Sequence, residues 1–101
     1  MPKKSCSTEA DIARAVLLIA FQEPTGIATF NKMRANLPSV IDLSDEDLAP
    51  SLTRNGEKLW EQQIRNIKSH YEADGNFIFE GYLEHVPYKG YRITEKGRKN
   101  L

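Results

Sequence analysis

Apolar positions along this 101-residue chain follow a helical period over most of its length and an alternating one near the carboxyl end. The first helical stretch sets Ile12, Val16, Ile19 and Ala20 on one stripe, widened by Leu17, Leu18 and Phe21. Thr8 can cap it, and Asp11 at the third helical position completes an approximate capping box, so this helix is predicted to start near Glu9 and to end before Pro24. Thr25-Gly26-Ile27-Ala28 breaks the pattern and leaves room for a very short strand. Thr29 then caps a second helix, which carries Phe30, Met33 and Leu37 inward until Pro38 ends it. Ser44 starts a short third helix. Asp45, Glu46 and Asp47 occupy its electropositive first turn, and Leu43 and Leu48 are placed to form a hydrophobic staple. Pro50 and Asn55-Gly56 interrupt the chain before the main helix.

That main helix is predicted over residues 57–71. At about 3.6 residues per turn, Trp60, Ile64, Ile67 and Tyr71 fall on one arc and are expected to face the core. The opposite arc holds Lys58, Gln62, Arg65 and Ser69, with Asn66 at its border. Arg pairs with guanine O6 and N7, and Asn or Gln with adenine N6 and N7, so the outward face carries the groups that read base edges in a major groove. Any amphipathic helix also has a polar side, and a solvated face accounts for the stripe equally well.

The hairpin pattern downstream of the helix gives the stripe its meaning. Asp74-Gly75-Asn76 ends the helix, and Phe77-Ile78-Phe79 is β-prone. Tyr82-Leu83-Glu84-His85-Val86 alternates as a half-buried strand does, Pro87-Tyr88-Lys89-Gly90 turns, and Tyr91-Arg92-Ile93-Thr94 returns. Pairing these strands points Leu83 and Ile93 inward and sets Lys89 at the tip, where it would meet phosphate or a minor groove. Tyr82, Tyr88 and Tyr91 cluster on this hairpin, Tyr88 being the exposed one. Thr94 caps a final helical turn, Glu95 to Asn100.

Composition narrows the class. With 40% hydrophobic and 28% charged residues, the chain fits one small globular domain over 8–101 after a disordered leader, 1–7. The longest apolar run, Ala15 to Phe21, is far too short to span a bilayer, so a cytoplasmic protein with no membrane association is expected. Basic and acidic residues balance at 14 each, which argues against holding nucleic acid by bulk charge. The first fifty residues nevertheless carry five Lys or Arg against seven Asp or Glu, and the remainder nine against seven. Lys89, Arg92, Lys96, Arg98 and Lys99 face only Glu95, which concentrates positive charge around the hairpin and the final turn.

Catalytic chemistry finds no footing. His70 and His85 have neither a nucleophile motif nor metal-ligand spacing near them. Gly75, Gly81, Gly90 and Gly97 are scattered through turns and form no phosphate loop. The carboxylates at 45–47 point in different directions on a helical turn, and Cys6 is the only cysteine, so no metal, cofactor or internal disulfide is expected.

Four segments together resemble the amino-terminal winged-helix domain of Mrr-type restriction system proteins. They are Leu43-Ser44-Asp45-Glu46-Asp47, Arg65-Asn66-Ile67-Lys68-Ser69-His70, Asn76-Phe77-Ile78-Phe79-Glu80-Gly81-Tyr82 and, most firmly, Gly90-Tyr91-Arg92-Ile93-Thr94-Glu95-Lys96-Gly97-Arg98. The resemblance runs from Ala10 to Leu101 and implies a module that brings a nuclease to DNA, often DNA with modified bases. Any nuclease activity would lie in a domain outside this chain. The expectation is therefore an α+β winged helix-turn-helix of three to four helices, with a small antiparallel sheet forming the wing over residues 82–94. Gln62, Arg65, Asn66 and Ser69 would read bases, and Lys58, Lys68, Lys89, Arg92, Lys96 and Arg98 would hold the backbone. Expected partners are double-stranded DNA, a nuclease domain or partner subunit, and a second copy of the chain. The alternatives are a protein-interaction or dimerisation module and a small transcriptional regulator.

Overall fold

A computed structural model describes residues 7–52 and 56–101, so the expected leader from Met1 to Cys6 and the break at Asn55 lie outside the described residues. Side-chain caps set most of the helix starts. Thr8 Oγ1 accepts the Asp11 N–H at 3.1 Å while the Asp11 carboxylate accepts the Thr8 N–H at 2.9 Å, opening α1 (Glu9–Gln22). After β1 (Ile27–Thr29), Thr29 caps α2 (Phe30–Val40), and Ser44 caps α3 (Asp45–Leu48). Then come α4 (Leu59–Ser69), β2 (Leu83–Val86), β3 (Gly90–Ile93) and α5 (Glu95–Lys99), the last capped by Thr94. The result is a small α+β domain with five helices among the described residues against the three to four expected, the fifth being the final turn predicted after Thr94.

The sheet is antiparallel in the order β1-β3-β2. Leu83 lies opposite Ile93 across the β2–β3 pair, and both are buried as the alternation requires. The hairpin is not the whole sheet, because β1 pairs with the far side of β3, Ile27 opposite Arg92 and Thr29 opposite Gly90. This closeness depends on Gly90: a Cβ there would fall 2.0 Å from the Ala28 carbonyl oxygen. The core gathers Ile12, Val16, Leu17 and Ala20 from α1, Met33 and Leu37 from α2, Trp60, Ile64 and Ile67 from α4, and Leu83, Tyr91 and Ile93 from the sheet. Each such large side chain contributes about 1.5–3 kcal/mol through its burial. Among the described residues no helix is long and apolar enough to cross a membrane.

Several expectations need correction. The second helix runs through Pro38 to Val40. Proline removes the bond to the residue four back and crowds its carbonyl, but Pro38 and Arg34 both lie on the exposed side of the last turns, and the Ile41 N–H still reaches the Leu37 carbonyl at 3.2 Å. Tyr71 is not in the core; the helix stops at Ser69 and leaves Tyr71 51% exposed. Leu48, expected to staple onto Leu43, is 43% exposed. Asp47 takes the buried position instead, its carboxylate accepting from Ser7 N–H at 2.7 Å, Ser7 Oγ at 2.9 Å and Ser44 N–H at 2.9 Å. Ser7, expected to close the leader, is thereby buried.

Phe77-Ile78-Phe79 forms turns rather than a strand, and Asn76 is the cause. Its buried side chain accepts from the N–H groups of Ile78 at 2.8 Å and Phe79 at 3.1 Å, curling the chain in an Asx-type turn. Its amide group donates to the Ile67 carbonyl at 2.8 Å and to Glu9 at 3.2 Å, pinning the loop to the ends of α4 and α1.

Two substitutions test these buried polar contacts. Tyr91 is fully buried and donates its hydroxyl to the Ile64 carbonyl at 2.7 Å; burial pushes the phenol up to about 12. Tyr91→Phe should cost about 1–2 kcal/mol and lower Tm by several degrees in thermal unfolding. For Asp47, burial works against ionisation, but the hydrogen bonds from Ser44 and Ser7 outweigh it and hold the carboxyl below its ordinary 3.8. The unfolded chain takes up that proton at a higher pH than the folded one. Its contribution is therefore complete above 3.8 and is lost as pH falls through the folded value. Asp47→Asn should lose about 1–2 kcal/mol at neutral pH in urea unfolding, and the gap from the natural protein should narrow below pH 3.8.

Candidate nucleic-acid interface

Because α4 commits Trp60, Ile64 and Ile67 to the core, helical period carries its other side chains outward. Lys58 is the residue just before the first turn, and its N–H donates to Glu61 Oε1 at 2.9 Å. The helix predicted over 57–71 thus spans Leu59–Ser69.

Arg65 is the most constrained of the outward groups. Its Nε donates to Glu57 Oε2 at 2.8 Å, and its guanidinium carbon lies 5.7 Å from the centroid of the Phe30 ring. Arg34 of α2 joins the same cluster, 3.5 Å from Glu57 Oε2 and 3.5 Å from Glu61 Oε2. The carboxylates are the sheltered members, with side chains 12% and 18% exposed against 44% for Arg34 and 36% for Arg65. Pairs this open to water add little to stability. They do hold two planar guanidinium groups in set orientations, partly exposed to solvent. The other predicted readers also have internal partners. Gln62 Oε1 accepts from Ser51 Oγ at 2.5 Å, Asn66 Nδ2 donates to Gln63 Oε1 at 3.1 Å, and Ser69 Oγ donates to the Arg65 carbonyl at 3.3 Å.

A cleft of about 220 Å³ opens where the carboxyl end of α4 meets the hairpin, lined by Phe30, Arg65, Lys68, Ser69, His85 and Tyr91. The hairpin tip reaches Phe30 from its other side, since the Phe30 N–H donates to the Lys89 carbonyl at 3.1 Å. Arg65, Lys68, Ser69 and Lys89 are in this way brought to one edge of the molecule, around the first residue of α2. The other backbone candidates sit elsewhere. Lys58 is at the far end of α4, an 11-residue helix of roughly 16 Å. Arg92 pairs with Glu84 at 2.9 Å. Lys96 and Arg98 come after the far end of β3 and lie over aromatic rings, 5.3 Å from the Tyr82 centroid and 5.8 Å from that of Phe21.

No protein-family model, curated protein or solved structure matches the chain. Geometry alone therefore describes this edge. It offers cations, a hydroxyl and an imidazole beside an aromatic ring, a set suited to an anionic, partly planar ligand. Among the described residues no three or more His, Cys, Asp or Glu side chains come together to hold a metal ion.

Sequence reasoning misses three members of this edge. Helical period points Phe30 inward, yet it is half-buried and stacks edge-on to Tyr91 with centroids 6.1 Å apart. Glu57 stands eight positions before Arg65, outside the three- and four-residue spacings that signal helical ion pairs. His85 lies on a strand whose alternation says nothing of the helix end packed beside it. Burial, and secondarily the Lys68 ammonium, hold the His85 imidazole below its ordinary 6.5. In an NMR titration, Lys68→Gln should move His85 back up toward 6.5, and an unchanged midpoint would show that Lys68 does not face it.

Proposed function

We propose that this chain is a duplex DNA-binding module of the winged-helix type, targeting a bacterial restriction or defence activity housed elsewhere. In this reading α4 enters the major groove with Arg65 and Ser69 at base edges, Lys68 beside a phosphate, and the β2–β3 hairpin on the backbone through Lys89. Gln62 and Asn66 would join after exchanging Ser51 and Gln63 for bases. The observation that carries the proposal is the meeting of α4 and the hairpin tip around Phe30, where Arg65, Lys68 and Ser69 line one cleft and the backbone of Lys89 adjoins it, in a chain with no net charge. The resemblance to Mrr-type amino-terminal domains agrees with it and extends the candidate ligand to modified bases.

A second reading has its own support. Zero net charge and the engagement of Arg65 with Glu57 suit a surface that docks on a partner subunit or a second copy. The two separate in one experiment, a polarisation titration of labelled duplexes, unmodified and cytosine-methylated, at low salt. Binding is expected at or below about 100 µM, the range of nonspecific association. Lys89→Ala should weaken every sequence alike and reduce the salt slope by about one unit, whereas Arg65→Ala should cost about 1–3 kcal/mol at a preferred sequence only. Glu57→Gln, by releasing Arg65, should tighten binding. No binding to any duplex, with self-association in light scattering, would establish the protein-docking reading instead.

A further inference from the structure

Internal packing does not explain the hairpin tip. Tyr88 has φ 64°, making it the only non-glycine residue with positive φ among those described, and its side chain is fully exposed at 102%. The left-handed region is unfavourable for a bulky L-residue, and Gly or Asn would adopt it more readily. A ring exposed to that degree returns no packing in compensation. Nor is the tip loose. The Lys89 N–H donates to the Val86 carbonyl at 3.1 Å, the Lys89 carbonyl accepts from Phe30 at 3.1 Å, and Gly90 is pressed against Ala28. The fold therefore displays a large aromatic ring on a rigid, locally strained support, the arrangement expected of a contact residue.

The surroundings select the ligand. Lys89 is the next residue and is exposed, and through Phe30 the tip adjoins the edge that carries Arg65 and Lys68. A cationic setting with one exposed π-face fits a polyanion that also presents flat aromatic groups. We propose that Tyr88 is a stacking wedge: its ring lies against the face of a nucleobase at a base step that opens when the hairpin meets the minor groove, with Lys89 on the adjoining phosphate. This inference rests on the DNA-binding reading and specifies its contact at the hairpin.

The test uses the full chain and three variants, Tyr88→Gly, Tyr88→Leu and Tyr88→Phe. Because Gly suits a positive φ and no side-chain packing is lost, Tyr88→Gly should fold with an equal or higher Tm. It should bind duplex DNA about tenfold more weakly, the loss expected for one base–aromatic stack. Tyr88→Phe should keep the affinity, and Tyr88→Leu, which retains apolar bulk without a π-face, should not. In parallel, near-ultraviolet irradiation of the natural protein on a 5-iodouracil duplex should give a cross-link that mass spectrometry maps to Tyr88. If the natural protein binds but Tyr88→Gly binds equally well, or the cross-link maps only elsewhere, the wedge is refuted while DNA binding stands. If the natural protein binds no duplex, both fall. Loss of self-association in Tyr88→Gly with unchanged DNA affinity would make the tip a protein contact and would also overturn the proposal.

Discussion

The hydrogen bond from the Tyr91 hydroxyl to the Ile64 carbonyl, 2.7 Å long and sealed from water, sets the relation between the sheet and α4. Everything on the candidate edge refers to that relation. Tyr91 is in the central strand, so fixing it fixes both neighbouring strands through the register of β3. Ile64 is the residue before Arg65, so the same bond determines where Arg65, Lys68 and Ser69 emerge relative to the hairpin. An apolar ring of the same shape would fill the space, but it would remove the one donor that the sheet gives this carbonyl beyond its helical partner, and with it the directional tie between sheet and helix. The T-shaped contact with Phe30 carries the constraint on to α2.

Electrostatics at this edge are balanced rather than simply positive. Arg34 and Arg65 share the Glu57 carboxylate, and Arg34 also reaches Glu61, which keeps the cations oriented and weakens their field at a distance. Such a surface gives little long-range steering and gains selectivity only at contact, when a ligand offers acceptors better placed than the glutamates. Lys68 and Lys89 carry what longer-range attraction remains.

Much of the architecture was legible in the sequence because capping is local chemistry. Thr8, Thr29, Ser44 and Thr94 each lie within three residues of the N–H they satisfy, so their pattern shows without the fold. The pairing of Leu83 with Ile93 follows from alternation alone. What escaped were contacts between residues far apart in the chain. Asp47 looked like one of three equivalent first-turn acids, and only Ser7, forty positions away, makes it the buried one. Asn76 looked like a helix stop, while its partners Glu9 and Ile67 belong to other elements. Tyr71 satisfied the helical period but stood past the point where the helix ends. The candidate site was legible as a helix face and a hairpin tip; their meeting point at Phe30, and the internal partners of every proposed reader, were not.

The Asn76 knot has a consequence for solubility as well as shape. Phe77-Ile78-Phe79 is an apolar, β-prone tripeptide without charge, and β1 and β2 are the two edge strands of the sheet among the described residues. A segment of that kind lying extended beside an open edge is the usual template for strand addition between chains. By drawing the N–H groups of Ile78 and Phe79 onto its own side chain, Asn76 removes the donors that such pairing needs and bends the segment away from extension. One buried amide thus keeps this tripeptide from lying extended as a further strand.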